Sequence, residues 1–283
     1  MTSEVSKNVA LEAGLYIVST PIGNLADITL RALDVLARAD IVACEDTRVS
    51  RTLLDKHGIR TRCVSVHNYN EDARFDFLKS EIAIGKSVAL ISDAGTPLVS
   101  DPGYKLASRL RKAGFPVTAA PGPSAVLDAL VLSGMPSDRF TFVGFVPAKP
   151  NEREQFLADL KNSDATVIFF ETAHRLAPTL GTIADIFGER QIAIARELTK
   201  IYEDVRVGTA AELAAHYKSA PPKGEIVGLI HPAENVAAID EGKTRKLLAK
   251  LLAHMNLPDA SEIAAYVLGI PKNSAYDIGL GMK

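Results

Sequence analysis

The stretch Leu90-Ile91-Ser92-Asp93-Ala94-Gly95-Thr96-Pro97-Leu98-Val99-Ser100-Asp101-Pro102-Gly103 decides how this chain is read. It opens on the apolar run Val88–Ile91, short enough and apolar enough for a buried strand. It then breaks into small residues with two prolines, two aspartates and two glycines. A helical pattern follows over Tyr104–Ala113. In open α/β sheets, ligands bind outside the carboxyl ends of strands, on the turn that leads into a helix. Gly95 lets backbone approach a ligand without an intervening side chain. Pro97 and Pro102 stiffen the turn and remove two backbone donors.

Moving outward, the same alternation repeats. Strands are predicted at Gly14–Ser19, Ile41–Cys44, Val64–Val66 and Val117–Ala120. Between them, helical spacing predicts Ile28–Ala39 with Asp27 as its cap, then Val49–Lys56 and Ala73–Ile84. Several strands run into polar loops: Thr20–Asn24, Glu45-Asp46-Thr47-Arg48 and His67–Asp72. Strand–helix alternation implies a mostly parallel sheet under helices. The first turn lacks GxGxxG and no Walker A sequence occurs, which argues against a dinucleotide fold and a P-loop.

Beyond Pro121-Gly122-Pro123-Ser124-Ala125, a helix capped by Ser124 is predicted over Ala125–Leu132. Strands follow at Arg139–Val143, Ala165–Phe170, Gln191–Ala195, Asp204–Val207 and Glu225–Leu229. Helices are expected over Asn151–Leu160, Leu176–Phe187 and Ala210–Tyr217. The strand at Ala165 ends in the polar run Glu171-Thr172-Ala173-His174-Arg175. Residues 231–242 read as a linker. The tail reads as helices Arg245–His254 and Ser261–Leu268 and a short one from Lys272, with turns at Leu257-Pro258 and Gly269–Pro271. The expected organisation is an α/β domain over 14–121, a second α/β domain over 122–232 and a helical tail over 243–283.

Composition narrows the function. The 283 residues carry a net charge of −2, with 47% hydrophobic and 23% charged residues, as in ordinary globular proteins. A nucleic-acid face would therefore be a local patch. From Glu241 onward six basic residues face four acidic ones. That helix–turn–helix rhythm fits either an RNA contact or a cap on a partner subunit. No run is long enough to span a bilayer, and the polar first ten residues lack a signal-peptide core, so a cytoplasmic location is expected. Cys44 and Cys63, the only cysteines, have no metal-ligand spacing.

Five motifs in fixed order, Ser19-Thr20-Pro21-Ile22-Gly23-Asn24-Leu25, Cys44-Glu45-Asp46-Thr47-Arg48, Ile91–Gly103, Pro121–Ala125 and Phe170–Arg175, make the chain resemble the tetrapyrrole methylase superfamily. Within it, the second and third motifs are most similar to the members that methylate a ribose 2′-oxygen of a cytidine in 16S rRNA. The resemblance spans about 14–230, and the helical tail is also similar. It implies two α/β domains with S-adenosylmethionine in the cleft between them, usually in a homodimer, acting on 16S rRNA or the 30S subunit. By position, it implies cofactor contacts at Pro21, at the Ala94-Gly95-Thr96 turn, at Val99, at Ser124 and Ala125, at Glu171 and at Leu198. Thr96 stands where tetrapyrrole enzymes often carry aspartate, and Asp93, three residues earlier, offers a replacement carboxylate. A tetrapyrrole C-methyltransferase and a non-catalytic ligand-binding module are the alternatives.

Methyl transfer from a sulfonium needs little covalent help, so positioning dominates. A ribose hydroxyl gains from a general base. Glu45, Asp46, His67, Glu71, Glu171 and His174 all follow predicted strands and qualify. The pair Glu45 and Asp46, with Arg48 to hold a phosphate or orient a carboxylate, is the favoured catalytic group. Asp46 as a mere helix cap is its plain alternative. Arg51, Arg60, Arg62 and Arg74 offer a phosphate-contacting rim.

Overall fold

The computed structural model describes residues 10–67, 70–233, 241–270 and 272–282. The chain divides into two compact units, residues 1–231 and 232–283. The polar leader and most of the linker read from the sequence lie outside the described residues, as do Asn68, Tyr69 and Pro271.

The first unit holds two five-stranded sheets. In the first, β1 (Gly14–Val18), β2 (Ile41–Cys44), β3 (Arg62–Ser65), β4 (Ser87–Ile91) and β5 (Val117–Ala120) run in the order β3-β2-β4-β1-β5. All four pairings are parallel. Helices α1 (Leu30–Arg38), α2 (Thr47–Lys56), α3 (Glu71–Ala83) and α4 (Tyr104–Lys112) connect them. Period-two alternation sorts the strands between two cores. Val42, Cys44, Ala89 and Ile91 face α1 and α2, packing with Leu36 and Leu54. Ile41, Ala43, Val88 and Leu90 face α3 and α4, packing with Leu78 and Leu110. Both faces are therefore dry, which is why β2 and β4 read as unbroken apolar runs.

The second sheet has β6 (Phe140–Phe145), β7 (Thr166–Thr172), β8 (Gln191–Arg196), β9 (Asp204–Thr209) and β10 (Glu225–Ile230), in the order β6-β7-β10-β8-β9. Only β6 and β7 pair in parallel. Helix α5 (Ala125–Ser133) covers one face through Val126, Ala129 and Leu130, joined by Ile22 from the loop after β1. Helices α6 (Pro150–Asp159), α7 (Ala173–Phe187) and α8 (Ala210–Ser219) cover the other. Gly228 of β10 lies across from Phe169 of β7, and a Cβ there would sit 2.1 Å from the ring. The glycine is the space that the buried phenylalanine fills.

The second unit is three helices, α9 (Glu241–Leu252), α10 (Leu257–Leu268) and α11 (Lys272–Leu280), closed around Leu248, Ala260, Ala264 and Ala275.

Helices α3, α7 and α9 begin two to four residues earlier than the sequence reading placed them, and three further starts differ through their caps. Thr29, not Asp27, caps α1, accepting from the Ala32 N–H at 3.1 Å; Asp27 ends a short 3-10 turn. Helix α2 begins at Thr47 rather than Val49 because Asp46 caps it. The expected turn at Leu257-Pro258 is the first turn of α10, capped by Asn256. Proline is tolerated there because its missing N–H would have had no helical partner. Ser124 precedes α5 as expected, but its side chain makes no capping bond.

Candidate functional site

The loops that leave β1, β4 and β5 are stitched together. Thr20 and Gly95 exchange two backbone hydrogen bonds, 2.9 and 3.0 Å. The Ser19 and Thr96 hydroxyls lie 2.9 Å apart, and Thr96 also donates to the Pro123 carbonyl at 3.2 Å. Threonine at 96 is thus a crosslink between loops. These bonds hold one wall of a cavity of about 330 Å³ between the two sheets. Its volume lies at the lower end of the range, about 300–1,000 Å³, that holds cofactor-sized ligands.

From β4 the cavity takes Asp93, Ala94, Gly95 and Thr96, then Val99, Ser100 and Asp101. From the start of α5 it takes Ser124, Ala125 and Val126. The opposite wall is Phe145, then Phe170, Glu171 and Thr172 at the end of β7, then Gly224–Val227 at the start of β10. Phe170 packs edge-on against Phe142 and Phe145, with ring centroids 4.8 and 5.4 Å away. Gly95 has φ +76°, which an L side chain rarely adopts, and a Cβ there would lie 3.3 Å from Ile22. Two non-glycine residues of the same loop, Leu98 and Ser100, are also left-handed, at φ 74° and 65°. Leu98 is partly buried against the core under α3 and α4, which holds that conformation.

Eight of the residues expected to contact a cofactor therefore share one cavity: Asp93, Ala94, Gly95, Thr96, Val99, Ser124, Ala125 and Glu171. Pro21 and Leu198 do not line it. Pro21 is buried beside Ile22, which does line it. Leu198 packs in the core beneath α5. The Glu171 carboxylate is turned into the protein. It accepts from the Thr179 hydroxyl at 2.7 Å, from the Thr172 N–H at 2.8 Å and from Arg175 Nη2 at 3.3 Å, and Arg175 completes an ion pair with Nε 3.0 Å from Oε1.

The favoured catalytic group sits beside the cavity rather than in its wall. The Asp46 carboxylate accepts from the Arg48 N–H at 2.8 Å and from its guanidinium at 2.6 Å. Those bonds pull its pKa down to about 2. Arg48 is otherwise exposed. The Asp46 N–H donates to Asp93 Oδ1 at 3.2 Å, so this group touches the cavity through Asp93. Burial, and then the charge of Asp93, push the Glu45 carboxyl up. Burial also raises Asp93.

The other base candidates are placed elsewhere. Glu71 is buried and accepts from the Leu106 N–H at 2.7 Å, tying α3 to α4. His67 folds back on Asn70. His174 is exposed at the start of α7. Of the basic rim, Arg51 and Arg74 donate to the backbone carbonyls of Thr61 and Ser65, while Arg60 and Arg62 are exposed. Among the described residues no His, Cys, Asp or Glu group has the geometry of a metal site, and no helix is long and apolar enough to cross a membrane.

The sequence reading assigned no role to Asp101, Thr172, Phe145 or the Gly224 turn. The Thr172 hydroxyl is buried with no hydrogen-bond partner among the described residues. Gly224, at φ +83°, has no room for a Cβ, which would lie 1.8 Å from Glu197 Oε1. The run Pro221-Pro222-Lys223-Gly224 before a strand was the available signal for that turn.

Residues 14–214 match the family model described as Tetrapyrrole (Corrin/Porphyrin) Methylases. The chain is 52% identical over 268 residues to the ribosomal RNA small subunit methyltransferase I of Mesorhizobium japonicum, covering 94% of this chain and 91% of that one. It is 42% identical to the protein of the same name from Escherichia coli O157:H7, over 94% of each. Among solved structures, it is similar to uroporphyrin-III-C-methyltransferase from Thermus thermophilus, at TM-score 0.55 and 23% identity over 77% of this chain and 94% of that one. It is also similar to diphthine synthase, at TM-score 0.58 and 14% identity over 77% and 89%. The solved structures bear on the fold alone.

Proposed function

The chain belongs to the tetrapyrrole (corrin/porphyrin) methylase family, and we propose that it is an rRNA methyltransferase, moving a methyl group from S-adenosylmethionine to the ribose 2′-oxygen of a cytidine in 16S rRNA. The observation that carries this reading is the 52% identity over 268 residues. That alignment is longer than the 231 residues of the first unit, so the likeness extends into the helical unit. A cofactor fold shared with tetrapyrrole enzymes would not require that.

The cavity suits the methyl donor. Ala94, Gly95 and Thr96 bring main-chain groups to it, and Gly95 clears the approach. The Thr172 hydroxyl, without a protein partner among the described residues, has a hydrogen bond to give a polar ligand atom. Phe145 and Phe170 offer π-faces, and Asp93 and Asp101 offer carboxyls, to a cationic sulfonium. When bound, the donor supplies a methyl carbon made electrophilic by that sulfonium. The chain's part is to hold it, to exclude water with the apolar wall of Val99, Phe145, Phe170, Ile226 and Val227, and to orient the ribose. Glu45, Asp46 and Arg48 stand beside the cavity, reaching it through Asp93, and Arg48 is exposed enough to meet a phosphate.

A cytoplasmic homodimer accompanies this reading. Leu127 and Val131 on α5, and Ile201 and Tyr202, are exposed apolar side chains. Asp128 on α5 senses the charge of Glu203, so the two sets neighbour each other and suit an interface. Light scattering in solution tests it. Activity is tested by offering radiolabelled methyl donor with 30S subunits, with free 16S rRNA or with a uroporphyrinogen. Label in RNA, in an alkali-resistant dinucleotide, supports the reading. Label in the tetrapyrrole overturns it.

A further inference from the structure

We propose that the helical unit α9–α11 is an rRNA-docking module: the outer face of α9 lies along the phosphate backbone, and Tyr266 of α10 stacks on an unpaired base. The proposal rests on the rRNA methyltransferase reading above. The unit is an addition to the donor-binding fold. The family model ends at residue 214, and every residue lining the donor cavity belongs to the first unit. The likeness to the Mesorhizobium japonicum protein spans 268 residues, more than the 231 of the first unit can supply. A part that the donor does not touch is available to the substrate.

Tight packing shapes the unit. Helices α10 and α11 meet at a turn where Gly269 is left-handed, at φ 65°, and Ile270 is buried. Gly279 of α11 lies against α10, where a Cβ would sit 2.3 Å from Leu257 Cδ1. Two helices joined by so short a glycine turn have the form of a helix–turn–helix. A-form RNA hides its base edges in a deep, narrow major groove. On RNA, such a form therefore grips phosphates and unpaired bases rather than reading a groove.

The charge is laid out for phosphates. From residue 241 onward the chain carries +2, against −2 for the whole. Lys243, Lys246 and Lys250 recur at helical spacing along one face of α9, all exposed. Thr244 and Leu248 turn the other way, into the core. The acidic residues are engaged elsewhere: Glu241 pairs with Arg245, Glu262 with Lys272, and Asp259 meets Asn256 at the start of α10. Among the described residues, Lys246 and Lys250 have no ion-pair partner. Lysine is depleted at protein–protein interfaces, so this stripe favours a polyanion over a protein surface.

The second contact is aromatic. Tyr266 is 91% exposed, with Ile263 and Val267 beside it on the same face of α10. A ring so far out in water packs no core. Unpaired bases of RNA stack on such rings.

The test measures binding of the full-length protein to protein-free 16S rRNA and to 30S subunits, by filter retention across potassium chloride concentration. Lys246→Gln with Lys250→Gln should weaken both about tenfold and lower the slope of log affinity against log salt by about one to two. Lys246→Arg with Lys250→Arg should keep affinity and slope. Tyr266→Ala should lose about fivefold with the slope unchanged. Lys161→Gln with Lys218→Gln, at exposed lysines of the first unit, removes the same charge and should stay within about twofold of wild type. Melting temperature and donor calorimetry confirm that each variant is folded. Wild-type affinity and slope in the paired glutamine variant would overturn the proposal. So would an equal loss in the Lys161 and Lys218 variant, which would reduce the effect to net charge. A loss on 30S subunits with none on rRNA would overturn it too, by assigning the unit to a ribosomal protein. Absence of methyl transfer by the wild-type protein to any RNA would instead overturn the reading beneath it, so the two failures are told apart.

Discussion

Replacing Asp101 with asparagine should stabilise the fold at neutral pH, and the size of the gain follows from the site. The folded-state pKa is raised from 3.8 to about 6. The folded protein thus binds this proton more tightly than the unfolded chain does. Stability credited to the group is full below about pH 4 and is lost as pH climbs through 6. Two units correspond to roughly 3 kcal/mol as an upper bound. Water at the cavity mouth reduces that, leaving an expected gain of about 1–2 kcal/mol for the neutral isostere above pH 7. The assay is urea denaturation of both proteins from about pH 4 to pH 8, read as midpoint and slope. The two should coincide near pH 4 and separate as pH rises. A difference that stays constant across that range would refute the reasoning, because it would mean that Asp101 titrates normally in the folded protein. Stability gained on neutralising a half-buried carboxyl is the trade expected of a residue kept for its site rather than for the fold.

Gly95→Val should cut donor affinity by at least about tenfold, because a β-branched side chain at φ +76° both strains the turn and enters the approach to the cavity; calorimetry showing wild-type affinity with an intact circular dichroism spectrum would remove this turn from the site. Glu171→Leu should lower stability by about 2–4 kcal/mol, since it strands Arg175 and the Thr172 N–H while Thr179 loses its acceptor. A melting temperature unchanged from wild type would show that this network carries no weight.

Strand and helix order through the first unit was legible because each strand of the first sheet is short, apolar and followed by a polar loop. The central loop was legible for the same reason: its glycines and prolines advertise a turn after β4. What stayed hidden depends on contacts between distant segments. Thr29 and Asp27 are both good caps in sequence, and only the chain's path selects Thr29. Leu98 and Ser100 carry no residue-type signal for a left-handed backbone, so the return of Asp101 to the cavity could not be read. Glu171 reads in the sequence as the residue after a strand, as a catalytic carboxylate would, but it ends up within β7, and its partners Arg175 and Thr179, one and two turns along α7 on the same face, draw it inward. Asp46 stands where it was expected, and its bond to Asp93 became visible only when the ends of β2 and β4 were placed side by side.

The most direct test of the central claim is a map of ribose methylation along 16S rRNA from cells lacking this gene, with and without a plasmid copy. The account predicts one cytidine whose 2′-oxygen is bare in the deletion and methylated again with the wild-type copy. An identical methylation map in all of these strains would contradict it.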